Sequence, residues 1–193
     1  VPRSGENDQI QTQHALVIGD RVLLRFPVEA DRAEFIATRQ VSRAFLEPWE
    51  PIREPGFDAW GDDGFDREIE CRQLHTQERW LIVRRGDGAI LGRLALTGIE
   101  RGPFQCGRLG YWIGEHFAGN GYMTEAIRLG VSRCFGTMGL HRVEANVMPS
   151  NVASRRVLEK AGFECEGMSP KYLSIAGAWA DHERWAITRD DDC

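Results

Sequence analysis

No apolar run in the 193-residue chain approaches the roughly 18 residues of a membrane-spanning helix, and no signal-peptide core opens it. Membrane association is therefore not expected. The five cysteines, Cys71, Cys106, Cys134, Cys165 and Cys193, are odd in number and contain no CxxC pair. That argues against a disulfide framework or a zinc site, so a reducing cytoplasm and no metal are expected. An excess of basic residues is also missing: the net charge of −5 speaks against direct nucleic-acid binding and is compatible with a basic substrate. Familiar catalytic signatures are absent too, with no GxSxG elbow and no HExxH. Neither a GxxxxGK[ST] loop nor a GxGxxG followed about 20 positions later by an acid occurs, which excludes a Walker or a Rossmann site. His14, His75, His116, His141 and His182 are scattered and read as surface or structural residues.

What the chain does have is concentrated between Gly107 and Met138. Leu109, Tyr111 and Ile113 alternate with Gly110, Trp112 and Gly114, the period of a β-strand. From Met123 the apolar residues Ala126, Ile127, Val131, Cys134, Phe135 and Met138 recur as the stripe of a buried helix. Between them lies Ala118-Gly119-Asn120-Gly121-Tyr122. Glycines there leave backbone N–H groups bare, and the helix that follows presents unpaired donors and its positive dipole end. These are the makings of a phosphate cradle, although two glycines between a strand and a helix can also merely turn the chain.

In chain order, residues 1–19 are polar and predict a flexible N-terminal segment, leaving 20–193 as a single domain. Val22 to Phe26 reads as a strand and Glu29 to Arg43 as a helix. Phe45 to Ile52 holds Pro48 and Pro51 among aromatics, which predicts irregular structure forming either a packed plug or a pocket wall. Phe65 to Gln77 suggests a helix with Ile69 and Leu74 inward. Trp80–Val83 and Ile90–Leu96 form a hairpin through Gly86-Asp87-Gly88. Val143, Ala145 and Val147 mark another strand. Ser150 or Asn151 can cap a helix running to Ala161, with Gly162 closing it. Lys171–Ile175 and His182–Ile187 are strands turned around Ala176-Gly177. The class is α/β, with antiparallel hairpins at both ends and one crossover late in the chain.

A cradle without a protein nucleophile suits direct attack by a substrate amine on an activated acyl group. Four stretches carry a resemblance of that kind: FLEPWEPIRE (Phe45 to Glu54), LGYWIGEHFAGNGYMTEA (Leu109 to Ala126), HRVEANVMPSNVASRRVLEKAGF (His141 to Phe163) and YLSIAGAWADH (Tyr172 to His182). In that order they resemble the GNAT N-acetyltransferases, and within them the ribosomal-protein-alanine N-acetyltransferases. The resemblance implies a mixed, mostly antiparallel sheet with a splayed strand pair flanked by helices. It also implies acetyl-CoA as cosubstrate and the N-terminal peptide of a protein, alanine or serine of a ribosomal protein, as partner. Gly119, Asn120, Gly121 and Tyr122, with Met123 next, match the pyrophosphate loop, where His116 replaces the family's Gln or Arg. Trp112, Ile113 and Gly114 would line the pantetheine arm, a backbone N–H of Trp112 or Ile113 facing the thioester oxygen. Asn151 matches an asparagine that holds the arm, and Ser154 a serine that reprotonates the leaving thiolate; helix capping is the competing role for both.

The base is less defined. Some relatives carry an acid where Lys171 stands, before Tyr172. Glu50 could bind the substrate ammonium or take its proton, whereas Glu100 and Glu144 read as further carboxylates, Glu144 a strand residue paired with Arg142. Two other functions fit the same core: acetylation of a small-molecule amine, and an acyl-CoA-binding sensor with weak turnover.

Overall fold

A computed structural model describes residues 14–51 and 54–189. Residues 1–13 of the expected flexible segment lie outside the described residues, as do Ile52, Arg53 and Cys193. The rest of that segment is not loose. Ala15–Ile18 forms β1, paired antiparallel with β2 (Val22–Arg25). The chain continues through α1 (Arg32–Val41), α2 (Arg43–Leu46), α3 (Asp62–Glu70), β3 (Gln73–Leu74), β4 (Gln77–Arg84), β5 (Ile90–Glu100) and β6 (Cys106–Ile113). Then come α4 (Tyr122–Phe135), β7 (Arg142–Val147), α5 (Val152–Ala161), β8 (Glu164–Ile175) and β9 (Ala178–Thr188). The strands make one sheet in the order β1-β2-β4-β5-β6-β7-β9-β8, with β3 attached to β4. All neighbours run antiparallel except β6 and β7, which are parallel because α4 carries the chain between them.

Both faces of this sheet are covered, so its central strands alternate between two cores. Trp80, Ile82, Leu94, Leu96 and Leu109 point to the face where α4 and α5 lie, against Ile127, Val131 and Leu158. Leu81, Val83, Ile90 and Trp112 point the other way, against Phe35 of α1 and Phe65 of α3. Phe35 meets both Phe65 and Trp112 edge-on with ring centroids 5.3 Å apart. Beneath α4, Arg133 grips the Glu78 carboxylate at 2.9 Å, and Trp80 Nε1 donates to the same group.

Several boundaries differ from the sequence reading, each for a local reason. The helix expected over Glu29–Arg43 begins as a 3₁₀ turn at Glu29–Asp31, where Asp31 accepts from Val28 N and from the Arg25 guanidinium. A second break at Ser42 starts α2, which takes in Phe45 and Leu46. Pro48 does not abolish regular structure: Glu47–Trp49 is a 3₁₀ turn with proline in its first positions, where no N–H is required. α3 starts earlier than expected, with Asp62 and Asp63 in the first turn suiting its dipole, and ends at Glu70. Leu74 is accordingly not an inward helix residue but an exposed one in the tight β3–β4 hairpin. The last two strands are longer than their apolar segments, because pairing with β9 rather than burial keeps the exposed β8 extended.

Candidate functional site

β6 and β7 pair over only three positions, Cys106–Arg142, Gly107–Val143 and Arg108–Glu144. Each strand then continues without the other, β6 to Ile113 and β7 to Val147. β6 remains bonded on its far edge to β5, and β7 on its far edge to β9. The result is a wedge whose two sides are strand backbone. An extended, amide-bearing chain could pair along it, just as another strand would.

Beyond the end of β6 the chain makes a 3₁₀ turn at Glu115–Phe117 and enters the glycine loop. Gly119 and Gly121 have φ of +76° and +81°, which side-chain-bearing residues rarely adopt. Gly121 is the N-cap of α4, and no side chain caps that helix. Its first-turn N–H groups are thus left to an incoming anion. An added Cβ at Gly119 would meet nothing within 4 Å, so space is open there for a bulky group. Asn120 turns its amide inward, donating to the carbonyls of Phe117 and Ala118, and so holds the loop's shape.

The loop is anchored from outside by residues that no sequence pattern marks. Arg21, in the β1–β2 turn, donates from Nη1 to the Asn120 carbonyl at 2.9 Å and lies over the Tyr122 ring at 4.9 Å. Its Nε and backbone N–H both bind the Glu125 carboxylate, as does Val22 N. Burial works against ionisation of Glu125, but these hydrogen bonds prevail and hold its pKa below the usual value. Arg84, 5.4 Å above the Phe117 ring, adds a second cation nearby. The only sequence signal was a basic residue beside a strand, indistinguishable from any surface arginine.

The wedge is flanked on one face by Tyr111, Asn151 and Ser154. Asn151 Oδ1 accepts from Ser154 N at 3.0 Å, so the capping role expected of Asn151 is present. Gly162, at φ +95°, closes α5 as expected. Ser154 Oγ lies 2.7 Å from the hydroxyl of Tyr111 on β6. Burial pushes the Tyr111 phenol well above its usual range, with the Ser154 hydrogen bond pulling more weakly downward.

Glu50 stands on the opposite face. Its backbone carbonyl accepts from Ala176 N in the β8–β9 turn, and Pro51 bridges to Ile175. The Glu50 side chain does not simply point into solvent: Arg39 Nη2 donates to its Oε1 at 3.2 Å. The Arg39 guanidinium lies 4.7 Å from the Trp60 ring and 5.0 Å from the ring of Trp112 in β6. Glu68, Arg79 and Arg93 adjoin them around a small cavity, Glu68 accepting from Arg79 Nη1 at 2.8 Å and forming an ion pair with Arg93 Nε at 3.4 Å. Burial pulls the Arg93 pKa below its ordinary value, with Glu68 opposing. Within the FLEPWEPIRE stretch Phe45 and Leu46 pack into the core, while Glu50 and Pro51 form a wall tied to the β8–β9 turn.

The other carboxylates read from sequence are tied up in ion pairs. Glu144 pairs with Arg142, as read from sequence, and Glu100 with Arg108. Lys171 has φ of +49° and donates its backbone N–H to Asp181, within an irregular stretch where β8 has extra residues opposite β9. The structure therefore brings the predicted residues together as two groups, Trp112 to Met123 with Asn151 and Ser154, and Glu50 across the sheet.

A wedge of backbone ending at an uncapped helix fits a ligand with an extended arm and a phosphate end, and comparison with known proteins agrees. The Acetyltransferase (GNAT) domain family matches residues 21–164, and the chain belongs to it. It is an acetyl-CoA-dependent N-acetyltransferase with the α/β fold of that family. A probable N-acetyltransferase of Bacillus subtilis, YjcK, is 37% identical over 176 residues, covering 86% of this chain and 93% of that protein. The [ribosomal protein uS5]-alanine N-acetyltransferase of Escherichia coli is 31% identical over 175 residues, covering 89% and 90%. Among solved structures, Mycobacterium smegmatis RimJ in complex with CoA-disulfide superposes with a TM-score of 0.81 at 32% identity, covering 88% of this chain and 82% of that one. Among the described residues no helix is long and apolar enough to cross a membrane.

Proposed function

We propose that the acceptor is the α-amino group of a protein N-terminus, alanine or serine of a ribosomal protein, and that it attacks the thioester directly. A cytoplasmic site of action follows from such a substrate. The observation that carries this reading is the wall formed by Trp49 to Pro51 against the β8–β9 turn, with Glu50 fixed by Arg39 on the face opposite Ser154. Similarity to a ribosomal-protein enzyme over 89% of this chain supports it further.

An N-terminal ammonium has a pKa near 8. A modest anion is therefore sufficient to attract the cation and assist loss of its proton, and Glu50 takes that role. The free amine adds to the acetyl carbonyl, while the backbone N–H of Trp112 or Ile113 faces the developing oxyanion. Collapse expels the thiolate, and Ser154 supplies its proton from Oγ while accepting one from the attacking nitrogen. The amine has then lost one proton and the thiol gained one. Gly119 to Met123 hold the phosphate end, Ile113 and Gly114 line the arm, and Asn151 orients both the arm and the first turn of α5.

The test is turnover, measured as CoA release, against N-terminal peptides of ribosomal proteins and against spermidine and other small amines. A kcat/KM at least tenfold higher for one alanine- or serine-initiated peptide is expected. Equal or better turnover of the small amines, or no turnover of the peptides, would overturn the acceptor assignment.

A further inference from the structure

Among the described residues, Tyr111 is the one side chain hydrogen-bonded to the Ser154 hydroxyl, and the contact links parts of the chain 43 residues apart. Tyr111 belongs to the stretch of β6 that has left β7, while Ser154 sits in the first turn of the helix that follows β7. The bond therefore crosses from one side of the wedge to the other. Its neighbours on β6 are the strand residues whose backbone lines the arm of the cosubstrate.

We propose that Tyr111 is a positioning residue for the acetyl transfer, its phenol donating to Ser154 Oγ so that the serine's own O–H is directed at the leaving sulfur. A phenol is a far stronger hydrogen-bond donor than an alkyl alcohol, and a serine oxygen is the better acceptor of the two. Because each hydroxyl has a single proton, this polarity uses the Tyr111 proton in the pair and leaves the Ser154 proton outside it. The reverse polarity would commit the serine proton to Tyr111 and leave none for sulfur. Burial of the phenol keeps it protonated throughout. Tyr111 consequently gives up no proton in the reaction: one passes from Ser154 to sulfur, and one returns to Ser154 from the attacking nitrogen. Ser154 N is meanwhile held by Asn151, so both ends of the serine are fixed, its backbone by the cap and its hydroxyl by the tyrosine.

The inference rests on the reading of Ser154 as the acid, and the experiment separates the two. Tyr111→Phe keeps the ring that packs against the core and removes only the hydroxyl. Single-turnover rates at saturating acetyl-CoA and peptide are compared for the wild type, Tyr111→Phe, Ser154→Ala and the double variant, with acetyl-CoA affinity measured by calorimetry. The expected result is a roughly tenfold slower single turnover for Tyr111→Phe, acetyl-CoA Kd within twofold of wild type, and no further loss when it is added to Ser154→Ala. If Ser154→Ala is slow and Tyr111→Phe is as fast as wild type, Tyr111 is removed from the mechanism and Ser154 stays. If neither variant is slow, the role of Ser154 falls and the positioning role with it. A Tyr111→Phe loss that appears in acetyl-CoA affinity, or that multiplies with Ser154→Ala, identifies wall packing instead and overturns the proposal.

Discussion

The two faces of the wedge are made from different materials. On the cosubstrate side, shape comes from backbone: strands that part, two glycines at positive φ and a helix start with no capping side chain. On the side we assign to the acceptor it comes from side chains, an ionic group of Arg39, Glu50, Glu68, Arg79 and Arg93 under a proline-bearing wall. Backbone donors recognise what every acetyl-CoA has, and they survive most substitutions. Paired buried charges depend on each partner, so the acceptor side can change specificity with few replacements and can also be ruined by one. That difference predicts where damage will appear in each assay.

The largest effect is expected from Glu68→Ala, which strands the buried guanidinium groups of Arg79 and Arg93. Urea titration should report a loss of about 3–5 kcal/mol, while the folded fraction keeps its acetyl-CoA affinity. A loss below about 1 kcal/mol would show that the acceptor side does not depend on its ion pairs. Next in size is Ser154→Ala, which should lower kcat by about 10²-fold at nearly unchanged acetyl-CoA affinity. A near-wild-type kcat returns Ser154 to the first turn of a helix and nothing more.

Gly121→Val sharpens the contrast from the other side. It forces a β-branched residue into φ +81° and brings Cβ to 3.3 Å from Arg21 Nη2. The acetyl-CoA dissociation constant should rise at least tenfold, about 1.4 kcal/mol, by calorimetry on the folded variant. Asn120→Ala should cost less, since it loosens the loop without occupying it. Glu50→Gln keeps shape and removes charge, and should reduce kcat/KM for a peptide amine about tenfold at neutral pH without touching acetyl-CoA binding. Part of that loss should return as pH rises toward 9 and the amine is already free. A rate equal to wild type from pH 6.5 to 9 takes Glu50 out of the mechanism.

The smallest effect concerns Glu125, whose pKa is depressed below its ordinary 4.5. A carboxylate depressed in the folded state contributes stability that is present above 4.5 and lost as pH falls through the folded value. Acetyl-CoA affinity should therefore hold from neutral pH down to 4.5 and weaken only as pH falls further through the depressed folded value, in step with release of Arg21. Glu125→Gln should weaken binding already at neutral pH and flatten that acid limb; a limb unchanged in the variant would assign it to other carboxylates.

Local signals made one face readable and not the other. β6, the glycine loop, α4 and the Asn151 cap announce themselves through period, glycine and capping chemistry within a few residues of each other. Glu50 was visible only as a carboxylate between prolines; its partner Arg39 lies on a preceding helix face that reads as ordinary amphipathic surface. Tyr111 counted as an apolar strand residue, since nothing in its neighbourhood indicates a serine 43 positions later. β8 and β9 exceed the lengths legible in sequence because their exposed residues show no alternation, and Leu74 reads as a helix residue because a hydrophobic residue in a tight hairpin imitates the end of a helix stripe.

The three-position seam between β6 and β7 also sets how the molecule can breathe. One half-sheet, β1 to β6, meets the other, β7 to β9, through those few ladder bonds, with α4 and α5 as struts on one side. Amide protons along the wedge edges of Leu109–Ile113 and Ala145–Val147 have no strand opposite to shield them. They should exchange with deuterated solvent faster than the buried amides of β4 and β5, and slow down when acetyl-CoA fills the gap. In exchange terms the cosubstrate then serves as the missing strand of the sheet.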